Sequence, residues 1–398
     1  MYSFPVKRLY VVDGVRGMPA ADARARRLIS ALGSPPAQEV TRAQLDELEP
    51  QWPWWRGGNY SRRTGAWDYS AGWTVILDTF GPENGSPIVA GTFRDAAEMA
   101  QHLNVCQSAL EIHCAFGCYH RCAYCHCDPH FHIACDLETL AARLPGLFEE
   151  YPRQQLWKFD NWTDTVVLEP EYGASELFVP LFADTADRFL MLYTKSDNVD
   201  HLLGLRHGGH TIVNWSISTA TQSRRIELNA PDTFARIEAM RRCREAGYTV
   251  RARISPIVPI VGWREEIRAT LDALMTTGRP DVVTVDVVGW CQPEVMSGFM
   301  DVSMLEPRYR QALEEMIASG VQTHGKHVFP HELREPILRF VIEEAHARSP
   351  KTRVAICNET RAMWDALGEA IGMAPGRYVC CCGPDSVPGN AMLAAAQG

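Results

Sequence analysis

The sequence predicts an α/β protein built on an incomplete, TIM-like (β/α)6 barrel, with α/β elements packed before it and a cysteine-containing extension after it. Three observations carry that expectation. Short β-branched runs alternate with amphipathic helical stretches through the middle of the chain, the pattern of a parallel sheet covered by helices. Six such units fall between residues 109 and 291, too few for a closed eight-unit barrel. A cysteine-dense loop directly follows the first of these runs, at the strand end where barrel enzymes place their chemistry.

Taken in order, residues 7–13 read as a strand. Residues 20–32, rich in Ala, Arg and Leu at helical spacing, read as a helix closed by Gly33-Ser34-Pro35-Pro36. Residues 51–63 mix Trp52, Trp54 and Trp55 with Arg56, Arg62 and Arg63 among turn formers. They are expected to be a loop packed on its neighbours, with a lid or a ring-stacking surface as the alternative. A strand over 73–77 and a helix over 93–103 complete an N-terminal region, 1–108. The barrel core, 109–291, takes strands at 109–113, 165–169, 188–194, 211–217, 248–256 and 281–288. Its helices are placed at 137–150, 232–246 and 263–277. After Trp290 the alternation stops, and 292–398, with helices at 307–319 and 336–348, is read as the C-terminal extension.

At 398 residues and 44.6 kDa the chain can bury a large core. Its 46% hydrophobic and 22% charged residues describe an ordinary globular protein. The charge balance, 39 − 48 = −9, disfavours nucleic-acid binding over the whole surface, so DNA would need a local basic patch. No leader-like segment and no apolar run of membrane length is evident, which sets the expectation of a cytoplasmic protein without a membrane partner. Thirteen cysteines in such a chain point to metal chemistry in a reducing compartment.

Five of those cysteines lie between Cys114 and Cys127. Within that run Cys118, Cys122 and Cys125 follow C-x3-C-x2-C. Three thiolates on one loop suit three corners of an iron–sulfur cube, because soft sulfur ligands select such centres. A structural zinc site is the alternative, since His113, His120, His126, His130 and His132 lie close by. Yet the chain has a single C-x2-C and no finger-like second pair.

With that motif the chain resembles the radical SAM superfamily, and within it the spore photoproduct lyase branch. The segment Tyr193-Thr-Lys-Ser-Asp-Asn-Val-Asp-His-Leu-Leu203, followed by Arg206-His207, is similar to a T-K-x-x-x-V-D-H-L-L run of that branch. So are Trp215-Ser216-Ile217-Ser218, Ala246-Gly247-Tyr248, Pro256-Ile257 and Gly262-Trp263 to its S-I-N-S, A-G-Y, A-P-I and G-W. The likeness spans roughly residues 7–290. It implies a radical SAM barrel in which Cys118, Cys122 and Cys125 hold a [4Fe–4S] cluster and S-adenosylmethionine (SAM) chelates the open iron. It further implies that Tyr124 packs near the adenine, and that Lys195 and Ser216 hold the carboxylate and ribose of SAM. Read without the family, Lys195 is a surface lysine after a strand and Ser216 a satisfied strand-end hydroxyl.

Two departures bear on function. Where the branch carries a hydrogen-donating cysteine, this chain has Phe159-Asp160-Asn161-Trp162-Thr163-Asp164, and His126 stands where the family has a tyrosine. The consecutive Cys380, Cys381 and Cys382, with Cys357 upstream, have no counterpart. They read as catalytic thiols replacing the missing donor, as an auxiliary soft-metal or second iron–sulfur site, or as a buried inert tail. Trp162, Glu169, Glu171 and Tyr172 are expected near the barrel mouth, the glutamates otherwise being solvated loop residues. The first functional reading is therefore a radical SAM enzyme, lyase or transferase, acting on a small-molecule or thiophilic substrate such as trivalent arsenic. A flavodoxin or ferredoxin would supply its electrons. The second is DNA-lesion repair, with Arg62, Arg63, Arg251 and Arg253 lining a basic groove. The third is a non-catalytic iron–sulfur or zinc regulator.

Overall fold

Two largely parallel sheets organise the chain in the computed structural model, which describes residues 1–49, 68–80, 88–89, 104–107, 109–125, 127, 129–289, 292–320 and 327–393. The first sheet has the order Ala37–Val40, Val6–Val12, Trp73–Asp78, His130–Ala134, Ala115–Phe116, and only the last pair is antiparallel. All six residues of Trp73–Asp78 are buried, as a central strand covered on both faces requires. The Pro19–Ala31 helix covers one of those faces through Ala21, Ala25 and Leu28.

The second sheet is the barrel. Glu111–Ile112, Leu156–Phe159, Phe189–Thr194, Thr211–Ser216, Thr249–Ile257, Val282–Val287 and Arg353–Ile356 lie side by side in chain order, each parallel to the one before. Strands that advance one place at a time, with helices between, are what right-handed crossovers build. Ile88–Val89 adds an antiparallel edge on Glu111–Ile112 and does not meet Arg353–Ile356, so the barrel stays open. The barrel helices carry local signals that fix their ends. Leu137–Glu150 buries Leu137, Leu140, Leu144 and Phe148 on one face. Thr233–Glu245 starts where the Asp232 carboxylate accepts from the N–H groups of Phe234 and Ala235, and ends with Arg242 and Arg244 against the negative helix end.

Two strand expectations are corrected. Residues 165–169 are not a strand, because Thr165–Leu168 forms a short 3-10 turn, wholly buried. Burial there satisfies the apolar residues without extension. The second barrel strand is instead Leu156–Phe159, whose Lys158 interrupts the apolar pattern. Nor does the alternation stop at 290: Arg353–Ile356 extends the barrel as a seventh parallel strand after the His331–Arg348 helix. The predicted 93–103 helix and the 51–63 loop lie outside the described residues. No helix among the described residues is long and apolar enough to cross a membrane.

Candidate active site

The cysteine loop leaves the first barrel strand and is fixed at both ends. Asp160, at the end of Leu156–Phe159 and with φ +57°, accepts from the N–H groups of Cys114 (2.9 Å), Ala115 (3.1 Å) and Trp162 (3.0 Å) and pairs with His113 Nδ1 (3.0 Å). Gly117, at φ +95°, brings the backbone so close to the His130 carbonyl that a Cβ would sit 1.6 Å from its oxygen. Only glycine fits there. Further on, Asn229 donates through its side chain to Tyr119 O and through its N–H to His120 O. Ala123 N donates to Ile226 O. Behind the loop, Tyr2 stacks on Tyr119 at 5.2 Å between ring centres, while the Trp73 indole N–H reaches Cys118 O at 3.4 Å.

Cys118, Cys122 and Cys125 are brought together. Burial pushes the Cys118 thiol up, with Asp164, Cys125 and Cys122 adding to it; burial and Glu227 push Cys122 up. Free thiolates are thus disfavoured in this pocket, and a cation of iron would supply the compensating charge. Among the described residues no three His, Cys, Asp or Glu side chains are arranged around a single metal ion. A cube gives each thiolate its own iron and spreads its ligands, so the donor set fits a cluster.

Tyr124 and Lys195 converge beside that loop through a residue that the sequence did not flag. Glu227 is completely buried, and its carboxylate accepts from the Tyr124 hydroxyl, from Arg236 Nη2 and from Ser218 Oγ (2.9 Å). Lys195 Nζ lies 3.8 Å from Glu227 and 5.9 Å from the centre of the Tyr124 ring. Burial opposes the ionised form, yet Arg236 and then Lys195 hold the Glu227 carboxyl well below the usual range. Lys195 is no surface lysine, its side chain being 14% exposed. Asp164 positions it: the carboxylate accepts from Lys195 N (2.7 Å) and Thr194 Oγ1 (2.9 Å) and pairs with His120 Nε2 (2.7 Å). Ser216 ends its strand with Arg236 Nη1 donating to its carbonyl at 3.0 Å.

Below this rim the barrel interior is polar. Lys158 contacts Glu111, and although burial works against ionisation, the Lys158 charge brings the Glu111 carboxyl down to about 2. Arg253 donates to the Tyr193 hydroxyl and to Cys357 Sγ (3.3 Å). Arg251 is fully buried against Asp281 (3.0 Å) and Cys381 O (3.1 Å). Arg251 and Arg253 therefore do not line an exposed basic groove, and Arg62 and Arg63 lie outside the described residues.

The C-terminal cysteines form the floor. Ala109 N donates to Cys382 O, while Gln155 N and Leu156 N donate to Pro384 O, all at the starts of barrel strands. Cys382 and Val387 pack against Leu156, Phe189, Met191, Tyr193 and Ile212. Cys381 donates its N–H to Thr284 Oγ1 (3.0 Å) and its thiol to Ala252 O (3.2 Å). It belongs to the floor's packing, so three converging thiolates at 380–382 are not what the chain builds. Trp162 stacks on His113 at 3.9 Å, packs against Phe116, and its carbonyl accepts from Gly117 N and the Cys127 thiol. Glu169 is buried and caps the Ala174–Ala183 helix region through Gly173 N and Ser175 N, Glu171 pairs with the N-terminal ammonium, and Tyr172 is buried with its hydroxyl on Cys114 O and Ala134 O.

The model of the family described as spore photoproduct lyase matches residues 104–288. Spore photoproduct lyase of Geobacillus sp. (strain Y412MC61) is 24% identical over 158 residues, which are 38% of this chain and 46% of that protein. The Bacillus subtilis (strain 168) enzyme is 25% identical over 167 residues, 40% and 49% of the two chains. The chain thus spans about half the length of the curated relatives it matches. Among solved structures, spore photoproduct lyase complexed with dinucleoside spore photoproduct superposes with a TM-score of 0.62 at 16% identity, covering 89% of this chain and 99% of that one. A variant with bound AdoMet and dinucleoside spore photoproduct gives 0.61 at 16% identity, covering 90% and 100%. The fold is that of this branch's partial barrel, and the resemblance to the radical SAM spore photoproduct lyase branch holds in sequence and in structure.

Proposed function

We propose that this protein is a radical SAM enzyme of the spore photoproduct lyase type, acting on a nucleic-acid-derived lesion. The observation that carries the reading is the convergence of Cys118, Cys122 and Cys125 with Tyr124 and Lys195, which meet on Glu227, at the strand ends of the open barrel. Cys118, Cys122 and Cys125 would hold a [4Fe–4S] cluster, and Tyr124, Lys195 and Ser216 would hold SAM beside it. Bound together, these groups supply one-electron chemistry that yields a hydrogen-abstracting carbon radical. The chain's own part is to bind and aim. Lys195 offers an ammonium to a carboxylate, with Glu227 as its resting partner and Asp164 fixing its backbone. Asp160 and Gly117 hold the loop so that the thiols need not reorganise on loading. The relatives' names favour a lesion substrate over a small metabolite, and a one-electron carrier would feed the site.

A small thiophilic substrate is the second reading, favoured by Cys357 and Cys382 inside the barrel. The test is anaerobic reconstitution followed by dithionite, SAM and dinucleoside spore photoproduct. About four irons per chain, 5′-deoxyadenosine and lesion reversal are expected. Deoxyadenosine without reversal would move the substrate to the second reading, and an absence of iron-dependent SAM cleavage would refute the enzyme.

A further inference from the structure

We propose that Cys380 and Cys382 are a redox-active dithiol on the floor of the barrel, which hands the hydrogen its two sulfurs share to a carbon radical formed above and closes to a disulfide. The inference rests on the radical SAM reading. The 159–164 segment, which faces the cysteine loop, offers no thiol, whereas the floor offers two at alternate positions. The intervening Cys381 is tied down separately by Thr284 Oγ1, Ala252 O and Arg251. Cys380 N is held by Ser386 Oγ at 3.2 Å, and a Cβ at Gly383 would meet that same Oγ at 2.4 Å, so a side chain there would turn Ser386 away from Cys380.

The clamped turn leaves Cys382 half-buried on the barrel's inner wall, beside Tyr193, Met191 and Phe189. Cys380 and Cys382 stand one residue apart and hydrogen-bond to each other, and Lys158 (5.8 Å) and Arg253 (5.3 Å) both lie over the ring of Tyr193, against which Cys382 packs. A hydrogen-bonded thiol–thiolate pair next to two cations is the arrangement that activates cysteine. A disulfide spanning one residue is strained and so easily reduced again.

The substrate radical takes the shared hydrogen atom and a C–H bond forms. The two sulfurs, now one electron short of thiolate plus thiolate, join in a three-electron S–S bond of charge −1. Its surplus electron leaves to a one-electron acceptor of the ferredoxin or flavodoxin class, and a neutral disulfide remains. A dithiol reductant of the thioredoxin class restores the pair with two electrons and one proton.

The test equilibrates the reconstituted full chain, without SAM, in mixtures of reduced and oxidised dithiothreitol, then acid-quenches, alkylates and weighs the peptides. Cys380 and Cys382 should lose their alkylation together in one two-electron transition that C381S retains and that C380S and C382S abolish. Independent alkylation of the two, or pairing with Cys106 or Cys357, overturns the proposal. With dinucleoside spore photoproduct in D2O, the exchanged thiol should place deuterium in the product, and C382S should lower product per 5′-deoxyadenosine at least tenfold. An unchanged ratio in C382S overturns hydrogen donation even if the disulfide forms. Failure of the wild type to cleave SAM would instead refute the enzymatic reading, leaving the thiol titration to stand or fall by itself.

Discussion

Replacing Glu227 by Gln should cost the folded state about 3–5 kcal/mol, the usual penalty for stripping one partner from a buried ion pair. Both side chains of the Glu227–Arg236 pair are 0% exposed, so water cannot solvate the guanidinium left behind. Lys195, 3.8 Å away, would add a second positive charge without its counter-ion. Gln matches Glu in shape, which isolates charge from packing. Urea unfolding of the iron-free chain at pH 7 measures the effect, and a double variant, Glu227→Leu with Arg236→Met, should lose less than Glu227→Gln alone because no charge remains stranded. The pH dependence has a definite sign. The Glu227 carboxyl is held below its unfolded range of about 4.3. Its stabilisation is therefore complete above that value and fades as the pH falls toward the folded pKa, so Glu227→Gln should flatten the acid limb below about pH 4. A loss under about 1 kcal/mol, with an unchanged acid limb, would show that Glu227 is not the charge centre of the site.

Gly117→Ala forces a Cβ onto the His130 carbonyl at a left-handed φ of +95°, so reconstituted iron per chain should fall several-fold; Gly204→Ala, with nothing within 4 Å, should leave it unchanged. Asp160→Ala removes the acceptor for three backbone N–H groups at the loop start, and its iron should be lost to a chelator at least tenfold faster than in wild type. The Cys380 hydrogen bond, opposed by burial and aided by Lys158 and Arg253, brings the Cys382 thiol down to about 5. Iodoacetamide should label Cys382 at a rate proportional to its thiolate, level above about pH 6 and falling as the pH drops through 5, and Lys158→Met should move that midpoint upward.

Much of this was legible in the sequence because it was local. The helical patterns at 137–150 and 232–246 each fall within a few turns of chain, and helices form there at Leu137–Glu150 and Thr233–Glu245. The partners of those local features were not legible. Nothing in Arg-Arg-Ile-Glu227 announces a buried carboxylate, since its role depends on Tyr124, more than one hundred positions away. The β-branched run at 165–168 was misassigned because burial and extension ask for the same residues, and only the fold decides between them. Lys158 was the one available signal: a lysine inside Leu-Trp-Lys-Phe either ends a strand or faces a charged interior, and here it meets Glu111. Arg251 and Arg253 were candidates for a basic groove under the DNA reading, because sequence gives the charge of a strand residue but not the wall it faces.

The floor at 380–384 also orders events in time. Its hydrogen bonds reach back to Ala109, Gln155 and Leu156, across stretches of chain longer than 225 residues, so the first barrel strands are synthesised long before their caps. During synthesis, which favours folding from the N-terminal side, the cysteine loop can fold, and on the proposed reading take up its cluster, before the floor thiols have left the ribosome. Two sets of soft ligands in one protein would otherwise compete for the same metal. On the proposed reading, chain order would separate them, because the floor cysteines follow the barrel strands that receive them.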